Sequence, residues 1–88
     1  MKTIHIKVFG QVQGVGFRFY TQQFAHQLEV TGTVQNIDDY VEIFATGNND
    51  NLTKFSEKVL KGASPMSHVT SYELSEIPLK IYKQFKTI

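Results

Sequence analysis

Three of the chain's six glycines lie close together near its start. Residues 9–18 read FGQVQGVGFR, with glycine at positions 10, 14 and 16 and an arginine at position 18. Glycine allows positive φ and has no Cβ, so successive main-chain N–H groups can point to one side and a ligand can approach the backbone closely. A concave row of N–H groups before a helix binds anions. On loop shape alone, a purely structural glycine turn is the favoured interpretation, because the Gly-Lys-Ser/Thr ending of a P-loop and the third glycine of a dinucleotide fingerprint are missing.

Arg18 is the residue that favours an anion site. Apolar residues at helical spacing begin at Phe17, so Arg18 falls in a first helical turn, where a cation costs about 0.3–1 kcal/mol. No acidic residue in the loop or that turn offsets this cost. An anion between the loop amides and the guanidinium would remove the conflict, and the planar guanidinium can donate to two oxygens of one phosphoryl group. A solvated surface arginine stays open as the alternative.

Asn36 is the second polar candidate. In the stretch GTVQNI, residues 32–37, it shares the parity of Val34, so both side chains face the helix-covered side if Val34 lies in the core. A carboxamide there needs hydrogen-bond partners. The alternative is an asparagine that caps a turn at Asp38-Asp39. The first two strands are expected to run antiparallel with at most one strand between them, and spacing alone does not decide whether Asn36 meets the glycine loop.

Apolar periodicity predicts the elements that carry these residues. It indicates strands over residues 3–9, 33–37, 40–46 and 69–77, and helices over 17–29 and from about 48 until Ser64-Pro65 stops the second one. The tail after Pro78 is a candidate edge strand. The order βαββαβ is typical of an α+β, ferredoxin-like fold, with two helices on one face of an antiparallel sheet. With 88 residues, the chain is expected to form a single domain over 1–88.

Composition narrows the classes of function. There is no cysteine, which excludes disulfides and thiolate chemistry. A net charge of +1 without a run of lysines or arginines argues against a nucleic-acid partner. The histidines His5, His26 and His68 have no metal-ligand spacing, so no metal is expected. No signal peptide or membrane-spanning segment is visible, and a cytoplasmic location without membrane contact is expected.

The residues resemble one known family. GQVQGVGFR, residues 10–18, followed by GTVQN, residues 32–36, and then VEI is similar to the acylphosphatase pattern of a G-x-V-Q-G-V-x-F-R loop and a G-x-V-x-N strand. The resemblance extends from Ile4 through the S-P-x-S-x-V segment to the aromatic tail. It implies a hydrolase that splits acyl phosphates, a small-molecule substrate class, into a carboxylate and inorganic phosphate, with no metal or cofactor. A monomer is expected.

The resemblance also implies roles for single residues. Arg18 takes the place of the family's phosphate-binding arginine, and Asn36 that of its water-positioning asparagine. The main-chain cradle for phosphate falls on Gln13, Gly14, Val15, Gly16 and Phe17. Two departures are visible. Gln11 stands where Arg or Lys is usual, which could weaken anion attraction at the rim, and the hairpin after Asn36 is one residue shorter and lacks a glycine, which could shift Asn36.

Two other functions stay open. One is a non-catalytic module of the same family that binds phosphate or carbamoyl phosphate for a larger assembly. The other is an RNA-binding domain of ferredoxin-like fold, although the sequence lacks the aromatic and basic sheet signature of RNA-recognition modules.

Overall fold

The computed structural model describes all residues from Met1 to Ile88 and has the predicted element order with a short strand added at its end. The strands are β1 (Lys2–Gln11), β2 (Thr31–Ile37), β3 (Tyr40–Gly47), β4 (His68–Ile77) and β5 (Phe85–Thr87), and the helices are α1 (Phe17–Gln27) and α2 (Asn49–Leu60). The α+β, ferredoxin-like arrangement is therefore confirmed, as is the extra C-terminal edge strand. Neither helix has the length and apolar character needed to cross a membrane.

The five strands form one sheet in the order β4-β1-β3-β2-β5. β3 pairs antiparallel with both β1 and β2, and β4 pairs antiparallel with β1. β5 pairs parallel with β2, so the sheet is mixed rather than purely antiparallel. These pairings decide which loops meet at each end of the sheet.

The direction of β2 relative to β1 corrects the expectation from the sequence. With β3 between them, two successive antiparallel pairings restore the direction, so β1 and β2 run parallel. Val41 of β3 pairs with Val8 on one side and with Asn36 on the other. The end of β1, which leads into the glycine loop, and the end of β2, which carries Asn36, therefore lie at the same end of the sheet.

The core lies between the sheet and the two helices. Residues one helical turn apart are buried on each helix: Phe17, Thr21 and Ala25 on α1, and Leu52, Phe55 and Val59 on α2. They pack against the even-numbered apolar residues of β1 and against apolar residues of β2 and β3, which include Val34, Val41 and Ile43. Apolar burial of this kind contributes about 25 cal/mol per Å² and holds the helices to one face of the sheet.

The helix boundaries differ slightly from those predicted. α1 ends at Gln27, two residues before Glu29, which has a positive φ of 55°. α2 ends at Leu60, before the Ser64-Pro65 pair that was expected to stop it. Gly62, with φ of 104°, takes the chain out of helical geometry first, as glycine commonly does just after a helix.

Gly10 belongs to β1 and not to the loop that follows. Its φ is 128°, and a Cβ built on it would lie 2.2 Å from the main-chain oxygen of His68 on the neighbouring strand. The register between β1 and β4 shifts between Phe9 and Gly10. The glycine cluster therefore has two parts: Gly10 lets β4 approach closely, while Gly14 and Gly16 lie in the loop itself.

We expect Gly10→Ala to lower the free energy of unfolding by about 2–3 kcal/mol, because the new Cβ is strained by φ and collides with main-chain atoms. Gly14→Ala is the matched control. Its φ of 73° is also unfavourable for alanine, but no atom lies within 4 Å of the new Cβ, so a loss of about 1 kcal/mol is expected. Urea denaturation measures both, and equal losses would contradict the steric role of Gly10.

Candidate active site

The loop between β1 and α1 presents unpaired main-chain amides. Gly14 and Gly16 have φ of 73° and 77°, both left-handed, and Gly16 is the N-cap of α1. No side chain caps the helix, and none of the N–H groups from residues 13–19 donates a main-chain hydrogen bond. Because the positive end of the helix dipole coincides with these free donors, the loop has the properties of an anion cradle.

Gln13 ties this loop to the hairpin turn that follows Asn36. Its Nε2 donates to the main-chain oxygens of Asp38, at 3.1 Å, and Tyr40, at 2.9 Å. Ile37 pairs directly with Tyr40, so Asp38-Asp39 forms the two-residue turn predicted from the sequence, with Asp38 at φ of 48°. The side chain of Gln13 is therefore engaged with the hairpin, and its main-chain N–H is the group that remains available to a ligand.

Arg18 lies in the first turn of α1, which contains no acidic residue. Its side chain is not freely solvated: Nη1 donates to the main-chain oxygen of Ile88 at 3.0 Å. Ile88 is itself held to the sheet by a hydrogen bond of 2.8 Å from its N–H to the oxygen of Val34 on β2. The segment after β5 thus orients the guanidinium, which has further N–H donors to offer.

Asn36 carries a buried acceptor without a partner. Val34 is fully buried in the core, so the shared parity puts Asn36 on the helix-covered side, as predicted. Its Oδ1 is buried and accepts no hydrogen bond from the protein, so it does not cap the Asp38-Asp39 turn. An unpaired buried acceptor costs about 1–3 kcal/mol. This oxygen is free to accept a hydrogen bond from a ligand or a water.

One cleft of about 540 Å³ contains most of the predicted site. Of the seven residues expected to form it, the cleft is lined by Gly14, Gly16, Phe17, Arg18 and Asn36. Gln13 and Val15 instead border a neighbouring hollow on the other side of the loop. The two departures from the family pattern can be placed as well. The exposed Gln11 borders that hollow and not the cleft, and Asn36 lines the cleft although the hairpin after it is shorter.

Six further residues line the cleft that sequence reasoning did not assign to it. They are Val12, Phe19, Gln22, Gln23, His26 and Thr87. Gln22 and His26 follow Arg18 by four and eight positions, so helical periodicity could have placed them on its side of α1. Thr87 carries no comparable signal, because its position depends on the parallel pairing of β5; its hydroxyl donates to Oε1 of Gln22 and joins the tail to α1.

The charges around the cleft are one-sided. No aspartate or glutamate lines it, and Arg18 is its one arginine or lysine. The positive end of α1 and the unpaired loop amides add to this positive charge. The fold and the cleft together define a small α+β domain in which unpaired loop amides and one guanidinium line the same cleft as a neutral carboxamide.

Comparison with known proteins identifies the family. The family model described as Acylphosphatase matches residues 4–87. An acylphosphatase from Staphylococcus haemolyticus is 55% identical over 89 residues, covering 100% of both chains. The chain therefore belongs to the acylphosphatase family, which confirms the resemblance seen in the sequence. The prediction that the protein is a hydrolase of this class is confirmed by the same comparisons.

Solved structures agree with the fold. The crystal structure of acylphosphatase from Bacillus subtilis matches with a TM-score of 0.93 and 41% identity, covering 100% of this chain and 98% of that one. A second match, full-length HypF in a phosphate- and nucleotide-bound form, has a TM-score of 0.93 and 28% identity. This match covers 99% of the present chain but 12% of HypF, so the same domain also occurs as part of a much longer protein.

Gln13→Ala is expected to lower the free energy of unfolding by about 1–2 kcal/mol, because two carbonyl oxygens of the hairpin lose their donor. Gln27→Ala is the control, since Gln27 is exposed at the end of α1 and should change stability by less than about 0.5 kcal/mol. Chemical denaturation followed by circular dichroism measures both. A Gln13 variant as stable as the Gln27 variant would show that the two hydrogen bonds of Gln13 contribute nothing to stability.

Proposed function

We propose that this protein hydrolyses the carboxyl–phosphate bond of acyl phosphates, releasing a carboxylate and inorganic phosphate, without a metal or cofactor. The observation that carries the proposal is the common cleft. Arg18 and the uncapped start of α1 line it together with Asn36, whose buried Oδ1 has no partner in the protein. Membership of the acylphosphatase family supports the same substrate class.

In this proposal the phosphoryl group is held by the loop amides and Arg18. Phosphoryl transfer needs little covalent chemistry from the protein; it needs in-line geometry and stabilisation of charge on the equatorial oxygens. The main-chain N–H groups of Gln13, Gly14, Val15, Gly16 and Phe17 and the guanidinium of Arg18 supply that stabilisation. The hydrogen bond from Arg18 to Ile88 limits the rotamers of the guanidinium, so less entropy is lost when phosphate binds.

Asn36 orients the attacking water. Its Oδ1 is an acceptor, so a water bound there donates one hydrogen to it and can direct a lone pair at phosphorus. A neutral carboxamide does this without repelling the anionic substrate, as a carboxylate would. Holding the water in line with the scissile bond contributes by orientation, and a misplacement of about 1 Å can cost about 100-fold in rate.

No general acid is needed for the leaving group. The departing carboxylate has a conjugate acid with a pKa of about 4, so it can leave unprotonated at neutral pH. We propose that an oxygen of the phosphoryl group takes the proton of the water. The one ionisable side chain of the cleft besides Arg18 is His26. It lies eight positions further along α1, about 12 Å along the axis, which is too far for His26 to act as base at the same phosphorus.

A non-catalytic module is the second candidate, because the same fold also occurs as 12% of the longer HypF chain. Arg18 and Asn36 are both present and line one cleft in this chain, which favours hydrolysis. A single domain over residues 1–88, a monomeric state, a cytoplasmic location and the lack of a nucleic-acid partner stay predictions from the sequence.

The purified protein is expected to hydrolyse acetyl phosphate and benzoyl phosphate, to leave p-nitrophenyl phosphate essentially untouched, and to keep full activity in excess chelator. A phosphate monoester has a poorer leaving group, which this cleft cannot protonate next to the phosphoryl group. Inorganic phosphate should inhibit competitively because it occupies the same cradle. Phosphate binding without turnover of either acyl phosphate would support the non-catalytic module instead.

Asn36→Ala and Arg18→Gln should differ in their kinetics. Asn36→Ala is expected to lower kcat by about 100-fold with KM changed less than about threefold, because water positioning is lost but phosphate binding is kept. Arg18→Gln should impair both constants and weaken inhibition by phosphate, and Arg18→Lys should recover part of the loss.

Two controls separate a catalytic from a structural role of Asn36: the free energy of unfolding of the Asn36 variant, and the kcat of a variant at the neighbouring Gln35. Since the buried Oδ1 makes no hydrogen bond in the protein, Asn36→Ala should leave the free energy of unfolding unchanged or raise it, by up to about 1–3 kcal/mol. Gln35→Ala, on the opposite face of β2, should keep the kcat of the unaltered protein. An Asn36 variant that is unfolded more easily but turns over normally would make this residue structural.

A further inference from the structure

The cleft is larger than a phosphoryl group requires. Its volume of about 540 Å³ lies in the range of sites that enclose a whole small molecule. The loop amides, Arg18 and Asn36 account for the phosphate end. The remaining wall is formed by α1 and Thr87, and its chemistry bears on the acyl portion of the substrate.

Among the apolar residues that line the cleft, Phe19 is the only one with substantial solvent exposure. The other apolar residues in its lining, Val12 and Phe17, are each 1% exposed, whereas Phe19 is 60% exposed. Single exposed apolar residues are common on protein surfaces. Among the large exposed apolar side chains of this chain, however, Phe19 is the one that lines this cleft.

The ring of Phe19 lies next to the phosphate cradle. Side chains on a helix incline toward its N-terminus, so the ring extends over the turn that begins at Gly16. It meets the ring of Tyr20 edge to face, with centroids 5.5 Å apart and an interplanar angle of 90°. The ring of Tyr20 in turn packs beside Gly16: a Cβ built on this glycine would lie 3.7 Å from the nearest ring atom. The ring of Phe19 therefore contacts one neighbour while most of its surface stays exposed.

The geometry points to Phe19 as the residue that binds the acyl portion, giving preference to acyl phosphates whose acyl group is a flat aromatic ring. This inference rests on the proposed function, since it assigns the second half of the same substrate. The phosphoryl group in the cradle places the acyl group beside the adjacent residue of α1. An aromatic acyl group can stack on or contact the ring edge to face, which a methyl group cannot do to the same extent.

The test compares three acyl phosphates on three proteins. Steady-state kcat/KM is measured for acetyl, succinyl and benzoyl phosphate with the unaltered protein, Phe19→Ala and Phe19→Leu. The ratio of benzoyl to acetyl phosphate efficiency is expected to fall about 3- to 10-fold in Phe19→Ala, mainly through KM, and by an intermediate amount in Phe19→Leu. The inhibition constant of inorganic phosphate should stay within about twofold, a readout that a distorted loop would change.

Ile81→Ala is the matched control, because Ile81 is 71% exposed and lies outside the cleft, and it should keep the original ratio. An unchanged ratio in Phe19→Ala, or equal losses on all three substrates, overturns the assignment while leaving the proposed hydrolysis intact. A higher efficiency with succinyl than with benzoyl phosphate also overturns it and assigns the acyl portion to the polar wall of Gln22 and Gln23. If the unaltered protein hydrolyses none of the three, the proposed function and this inference both fail.

Discussion

The uncapped N-terminus of α1 is the constraint on which the candidate site depends. A helix start normally has a side-chain cap and often an acidic residue in its first turn, and α1 has neither. Instead the first turn carries Arg18, a cation at the positive end of the dipole. Both features cost stability in the protein alone, and both become favourable when an anion lies between the loop amides and the guanidinium. The buried, unpaired Oδ1 of Asn36 is a third unfavourable feature in the same cleft.

Unfavourable features of this kind persist only where the surrounding structure determines them strongly. The apolar face of α1 fixes the start of the helix, because Phe17 is buried at its first residue and Val12 anchors the loop in the core. The two hydrogen bonds of Gln13 then hold the loop against the hairpin that follows Asn36. Pre-organisation of the donors before substrate arrives is what makes electrostatic stabilisation effective in catalysis.

Much of this arrangement could be predicted from the sequence because it depends on local rules. Apolar residues at period two and at helical spacing predicted the strands and helices. The shared parity of Val34 and Asn36 predicted correctly that both side chains face the helix-covered side of β2. The direction of β2 relative to β1 was predicted wrongly, since it depends on β3 lying between them, which is a fact of the whole sheet. The contacts of Gln13 with the hairpin and of Arg18 with Ile88 join residues 25 to 70 positions apart, and no local pattern encodes them. Helical spacing from Arg18 could have predicted that Gln22 and His26 line the cleft, but no motif in the sequence pointed to these two residues.

The parallel pairing of β5 follows from where the chain must cross the sheet. β4 runs antiparallel to β1 and ends beside Thr3, at the end of the sheet away from the cleft. The chain then crosses at that end, where the oxygen of Lys80 accepts a hydrogen bond of 2.7 Å from the hydroxyl of Thr46.

From there the last strand can only run back toward the glycine loop, parallel to β2. Thr87 pairs with Val34, two residues before Asn36, and the next residue supplies the oxygen that orients Arg18. An antiparallel β5 would carry the chain away from α1 and leave the guanidinium without this acceptor. The short fifth strand, which the simple βαββαβ order does not include, therefore belongs to the candidate site, because it joins Arg18 to the strand that carries Asn36.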